Sequence, residues 1–395
     1  MNAVVGKTFG RRYFRTMLSL SIGLLILILS NDQRTWALYK GPTTRSLYES
    51  VPIRLEQTIS WSECEEGCCE KALQVVSQYE NAQNNMVCFD LNFRENREQQ
   101  YLHLTPFNYV FSHYLSMAQK FFESMSAYDT LSGEIIWIIQ DDATIDPVMQ
   151  SKFTSARVAT VGHSVHSERG DISMYTVLVP NFHFIEHDGY SDLSRQAAAI
   201  SAPFSSLRPH VFWAGSSTGL PCRSQRPCND TCQDLQRYKL VRQSQEIEWL
   251  NFSFSQAIQW CKGDEAELQA LNMFSNRSDE AEWMQYRGIL DVDGNVDAWG
   301  SRWRYSMNSV VFKVKTDYVN HYSGAIVDGV HMIQISEDLT DLKSKTSLIT
   351  RNDTNTQSYL ANIAKNARKT IAAFTLESAS ADSAQALVKF FGHES

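Results

Sequence analysis

The chain has 395 residues, 43% of them apolar and 20% charged, with a formal charge of −8. This is ordinary globular composition, and the length allows two or three domains of about 100–200 residues each. The acidic balance, with no Lys/Arg cluster beyond the N-terminus, argues against a nucleic-acid partner, which would call for a basic face.

Lys7, Arg11, Arg12 and Arg15 precede an apolar run from Met17 to Ser30. A spanning helix wants about 20 apolar residues, so the run is either a signal-peptide core or a short signal anchor. The next residues, "NDQRTW", offer no small-x-small cleavage site. The expectation is an uncleaved anchor over 1–31, with its basic end in the cytosol. A polar stem follows over 32–59. The remainder would lie in the endoplasmic reticulum or Golgi lumen as a single-pass type II membrane protein, or be secreted if the signal is cleaved. Eight cysteines, at 64, 68, 69, 88, 222, 228, 232 and 261, suit disulfides in that compartment. Zinc at Cys64, Cys68 and Cys69 is the other reading, although adjacent cysteines do not easily face one ion. Sequons at Asn229, Asn251, Asn276 and Asn352 agree with a luminal chain.

"CEEGCCEKALQVVSQYENAQN" and "SHYLSMAQKFFESMSAY" read as helices. Beyond them come short, continuous apolar runs: "EIIWIIQ", "ARVATVG", "MYTVLVP", "HVFWAG", "GILDVDG", "SVVFKV" and "VHMIQI". Continuous runs predict strands buried on both faces, and helical segments between them make the class α/β. The C-terminus returns to helical patterns. A break at "APFSSLR", near Ala202, divides the chain into halves over 60–205 and 206–375, followed by a closing helix over 376–395.

Several motifs could carry chemistry. Asp141 and Asp142 close the run "IIWIIQDD". The carboxyl end of such a strand faces the ligand crevice in open α/β sheets, where a carboxylate can accept a proton; a solvated strand-end turn is the plainer reading. "HFIEH", His183 to His187, matches the inverted zinc-protease pattern, which requires a helix to bring both His to one face. The flanking "VPN" and "DGYSD" favour a loop, and so no zinc site. "HVFWAGSSTG" runs a strand into small residues that allow close approach of a phosphate or sugar, or make an ordinary tight turn.

"ILDVDGNVDAWGSRWRYSMNSVVFK" begins like a calcium loop. Counted from Asp291, however, Val296 stands where an EF-hand needs Gly and Arg302 where it needs Glu. Asp291-Val-Asp293 also matches the Asp-x-Asp of metal-dependent sugar transfer. The remaining reading is a turn feeding a phosphate site. Ser301 would cap a short helix, and Arg302 in its first turn would hold diphosphate oxygens without a metal.

Taken together these segments resemble glycosyltransferase family 90. The resemblance rests on "VFWAGSSTG", on "DVDGN…WGSRWRYSMNSVVFK", and on "VHMIQISEDLTDL" followed by "RNDTNTQSYLANIAKNARKTI". It covers about Glu134 to Ile371. It implies a GT-B fold, two Rossmann-like domains with the active site between them. It also implies a UDP-sugar donor, inversion at the anomeric carbon, and no metal or other cofactor. By position, Asp141 would be the general base and Arg302 would neutralise the leaving diphosphate. Gly215, Ser216, Thr218, Gly300 and Ser301 would line the nucleotide, and Asp317 would touch its sugar. The resemblance makes the first half acceptor-side and the second nucleotide-binding. Ala214 stands where the family has a basic residue; Arg223 is the nearby charge that could replace it. The expected activity is transfer of glucose or xylose from a UDP-sugar to a hydroxyl of a protein or glycan. The rivals are a non-catalytic sugar- or protein-binding member and a metal-dependent hydrolase.

Overall fold

The computed structural model describes residues 61–392 except 64–66, 80–85, 94–98, 104–110, 126–130, 140–141, 168–175, 200–201, 221–228, 230 and 276–277. The apolar run Met17–Ser30, Asp141 and Arg223 lie outside the described residues. Among those described, no helix is long and apolar enough to cross a membrane.

The first sheet is built from β1 (Trp61–Glu63), β2 (Met86–Asn92), β3 (Gln99–His103), β4 (Ser132–Ile138), β5 (Ala159–Gly162) and β7 (Thr176–Leu178), in the order β1-β3-β2-β4-β5-β7. Strands β4, β5 and β7 are parallel, as the apolar runs suggest. Strand β2 is antiparallel to both its neighbours. The sheet is therefore mixed, where two Rossmann-like halves would call for parallel strands on both sides. Helix Phe111–Glu123 covers one face with Phe121 and Phe122, which meet Phe89 of β2 or Trp137 of β4 edge-on or tilted, at centroid distances of 4.8–5.7 Å. Aromatic pairs favour such angled contacts. The C-terminal helix Leu376–Gly392 returns to this sheet and buries Ala384 and Leu387 in the same core.

The second sheet comprises β8 (Arg208–Ser216), β9 (Leu250–Gln256), β10 (Tyr286–Asp291), β11 (Val310–Val314) and β13 (Ile333–Ile335). Its order is β13-β11-β10-β8-β9, and every pair is parallel. All of β10 is buried, as a strand covered on both faces should be. A two-stranded ribbon joins the two halves: β6 (Val165–His166) pairs antiparallel with β12 (Tyr318–Val319). Both sheets fall within one compact unit, Ile59–Ser395.

Disulfides join Cys69 to Cys88 and Cys232 to Cys261, and Cys68 is disulfide-bonded as well. A zinc site at Cys68 and Cys69 is thereby excluded, since their sulfurs are already bonded.

Candidate functional site

In the second sheet the chain passes from β8 outward to β9, then crosses back to β10 on the other side of β8. The switch point lies between β8 and β10. Loops leaving adjacent strands diverge there and open a crevice at the carboxyl edge. The two loops are "SSTG", after β8, and "VDGNVDAWG", after β10.

Arg237, from the helix Gln236–Ser244, holds these loops together. It donates to Ser216 O (2.9 Å), Val292 O (3.1 Å), Asp293 O (2.9 Å) and Thr218 Oγ1. A Cβ at Gly294 would come within 2.8 Å of Thr218 Oγ1, so only glycine allows this approach. Gly215 closes β8, where a Cβ would strike the Trp213 ring at 2.7 Å.

The aspartates of the second loop shape it. Asp291 is fully buried and bonds Arg304, Lys313 (3.0 Å) and the Ser301 hydroxyl (2.6 Å). Burial alone would raise its carboxyl pKa, but Lys313, Arg304 and Ser301 bring it below the usual carboxylate range. Asp293 meets Lys313 at 2.6 Å. Burial disfavours the Lys313 charge, yet the two aspartates hold its pKa above the ordinary lysine value. Protein cations thus occupy the places where a calcium or Asp-x-Asp reading would put a metal.

Two expected site residues take structural places. Ser301 donates to Asp291 and does not cap the four-residue helix Ser301–Arg304; Gly300 occupies the cap position without a side-chain bond. Arg302 points inward and is 3% exposed. Its fork donates to Ser194 Oγ (3.0 Å), Ser306 Oγ (2.9 Å), Ile371 O (3.0 Å) and Phe374 O (2.8 Å), and it lies over the Phe184 ring. Burial lowers its pKa to about 10. With these donors engaged, the expected role on a diphosphate does not fit its placement. Apart from Ser306, its partners come from distant segments, which spacing along the chain could not reveal.

The backbone carbonyl of Asp317 accepts a hydrogen bond from Ser167 N at 2.6 Å, beside the joining ribbon. One residue on, the Tyr318 hydroxyl reaches Asp142 Oδ2 at 3.3 Å. Asp142, beyond the end of β4, therefore meets the second half at this ribbon.

A cavity of about 180 Å³ opens at the ends of β10, β11 and β13, with Asp297, Lys313, Lys315, Tyr318 and Tyr322 among its walls. Pockets for whole ligands run to about 300–1,000 Å³, so this volume suits part of a ligand, such as a diphosphate. Lys315 is exposed at the rim. Sequence reasoning missed Lys313 and Lys315, although their alternation in "FKVK" was a legible signal. It also missed Asp297. That carboxylate is buried, accepts from Asn320 at 2.9 Å through Oδ2, and leaves Oδ1 without a hydrogen bond. Burial raises its pKa, with His163 acting in the opposite direction.

"HFIEH" is helical, contrary to expectation. The helix spans Phe182–Glu186, capped by Asn181, whose side chain accepts from Phe184 N at 2.9 Å.

Residues 189–377 match the family model described as "Glycosyl transferase family 90". This bears out, over these residues, the resemblance read from the sequence. No curated protein matches it. Among solved structures, a glycosyltransferase from Rickettsia africae aligns over 64% of this chain and 69% of its own, at 12% identity and TM-score 0.38. Anabaena HepE, solved in complex with UDP, aligns over 61% of this chain and 75% of its own, at 12% identity and TM-score 0.34. The GtfA/B complex aligns over 74% of this chain and 63% of its own, at 8% identity and TM-score 0.36.

Proposed function

We propose that the chain is an inverting O-glycosyltransferase that moves glucose or xylose from a UDP-sugar to a hydroxyl of a protein or glycan in the secretory lumen, held there by the anchor over 1–31. The observation that carries this reading is the cavity at the ends of β10, β11 and β13. It is built from the segment that the family model covers, and its walls combine lysines with tyrosines. In this reading residues 206–375 bind the donor and 60–205 present the acceptor, as two halves of a GT-B enzyme.

Asp141, at the end of β4, accepts the proton from the acceptor hydroxyl. The oxygen attacks the anomeric carbon as the bond from that carbon to the UDP oxygen breaks, and UDP leaves with the electron pair. The contact between Asp142 and Tyr318 supports this reading, because Asp142 directly follows the base in the sequence and Tyr318 lines the cavity. Lys315, exposed at the rim, meets the departing charge in place of Arg302. Gly215 and Ser216 at the end of β8, with Thr218 and Gly300 on the loops after β8 and β10, line the nucleotide through their backbone. Arg223 and Asp317 contact the donor. No metal is required where Lys315 supplies the positive charge.

A second reading, a sugar-binding member without catalysis, is favoured by the engagement of Arg302 and by Ala214. Proton NMR of the product from UDP-glucose or UDP-xylose and a hydroxyl acceptor separates the two. A β-linked product from the α-linked donor supports inverting transfer. A retained anomer overturns the mechanism, and binding of UDP with no product supports the second reading.

A further inference from the structure

The helix Phe182–Glu186 carries a cluster that sugar transfer does not use. His183 and His187 are four residues apart and Glu186 is three from His183, so all three project from one face of the turn. The two imidazole rings lie parallel, with centroids 5.9 Å apart. His183 Nδ1 is 3.8 Å from Glu186 Oε2, and these side chains are 43% and 40% exposed. One ligand atom from each of the three residues lies within 4.8 Å of the other two. Ligand atoms around a tetrahedral zinc, with bonds of about 2.0–2.2 Å, are separated by roughly 3.3 Å, a distance reached here by small rotations of half-exposed side chains.

We propose that His183, Glu186 and His187 bind one divalent transition-metal ion, with zinc the ion best suited to the ligands. Two imidazoles and one carboxylate are a zinc donor set, and a water completes the fourth position. Calcium and magnesium prefer an all-oxygen set. The three ligands share a single helical turn, so the ion clamps that turn. It does not assemble a hydrolytic centre, because Glu186 serves as a ligand and cannot also act as the base.

The turn bears directly on the signature loop. The His183 ring packs against Trp299 at a centroid distance of 4.6 Å. Asn181, which caps the helix, and Tyr190, just beyond it, both donate to Trp299 O, at 3.4 and 3.0 Å. A metal that fixes His183 and His187 therefore fixes the support on which Trp299 rests, next to Gly300 and Ser301. The metal is a positioning group for that loop and stands apart from the donor diphosphate. The binding claim holds whether or not the chain transfers sugar.

Calorimetric titration of zinc into chelator-treated full-length protein tests the proposal, alongside visible spectra of the cobalt-loaded form. The wild type should bind one ion per chain and show the intense visible bands of a four-coordinate cobalt site. His187→Ala and Glu186→Gln change exposed side chains and should weaken binding by about tenfold or more. Zinc should also alter tryptophan fluorescence in the wild type but not in Trp299→Phe. No binding, or binding equally tight in both ligand variants, overturns the site. Binding lost in the variants, with the fluorescence response retained in Trp299→Phe, keeps the site and overturns its link to the loop.

Discussion

The Tyr318 hydroxyl donates to Asp142 Oδ2 at 3.3 Å, linking the end of β4 to the ribbon strand β12. This bond spans residues far apart in sequence and brings the first sheet's carboxyl edge to the second sheet's crevice. Tyr318→Phe should cost only about 1 kcal/mol of stability, the net value of one partly solvated hydrogen bond. In the proposed mechanism it also lets the base drift, so kcat/KM should fall about tenfold with little change in Tm. Steady-state UDP release beside a thermal melt checks both. An unchanged kcat/KM would place the bond outside the working site.

Arg302 provides a contrasting case. Removing its fork leaves Ile371 O, Phe374 O and two serine hydroxyls without a donor in the interior. Arg302→Ala should therefore destabilise the fold by about 3 kcal/mol or more, measured by urea denaturation. Lysine cannot reproduce the fork, so Arg302→Lys should recover only part of that loss. A variant with wild-type stability and a raised KM for the donor would instead return Arg302 to the diphosphate.

Asp291 joins Arg304, Lys313 and Ser301 in a buried cluster. Asp291→Asn leaves Arg304 without its counter-charge and Lys313 with Asp293 alone, and should cost about 3–5 kcal/mol. The same substitution on an exposed loop aspartate would cost almost nothing. A melt within a degree or two of wild type would refute the structural role assigned to Asp291.

Stability should depend on pH through His321. Burial lowers its imidazole pKa to about 3, and the nearby Arg302 and His163 charges act in the same direction. The unfolded value is about 6.5. The folded pKa is the depressed one, so the unfolded chain takes up the proton first as pH falls. His321 therefore contributes stability that is present above about pH 6.5 and is lost as pH falls toward about 3. Asp291, also depressed, contributes a loss only below the ordinary aspartate range of about 3.9. Melts of wild type and His321→Phe between pH 7 and pH 5 isolate the histidine. The wild-type decline should flatten in the variant, and equal slopes would contradict the assignment.

The parts of this molecule legible in the sequence are those fixed by local pattern. Ile135–Ile138 and Tyr286–Asp291 read as buried strands because strands covered on both faces need unbroken apolar runs. "DVDGN" read as a shaped loop, and Gly294 and Asp291 show why. The antiparallel pairing of β2 was not legible, since Met86–Asn92 would be equally apolar in either direction. The placement of Arg302 was not legible, because three of its four acceptors, Ser194, Ile371 and Phe374, lie in remote segments of the chain. "HFIEH" was misread because Pro180 and Gly189 flank it closely, although Asn181 was an available cap signal.

The central claim is sugar transfer from a UDP donor with Asp141 as base. The most direct measurement is UDP release by purified protein, given UDP-glucose and UDP-xylose in turn with a hydroxyl acceptor, for the wild type and Asp141→Asn. The account predicts acceptor-stimulated release by the wild type with at least one donor, reduced about a hundredfold or more in the variant with donor binding retained. No release by the wild type, or release undiminished in Asp141→Asn, would contradict it.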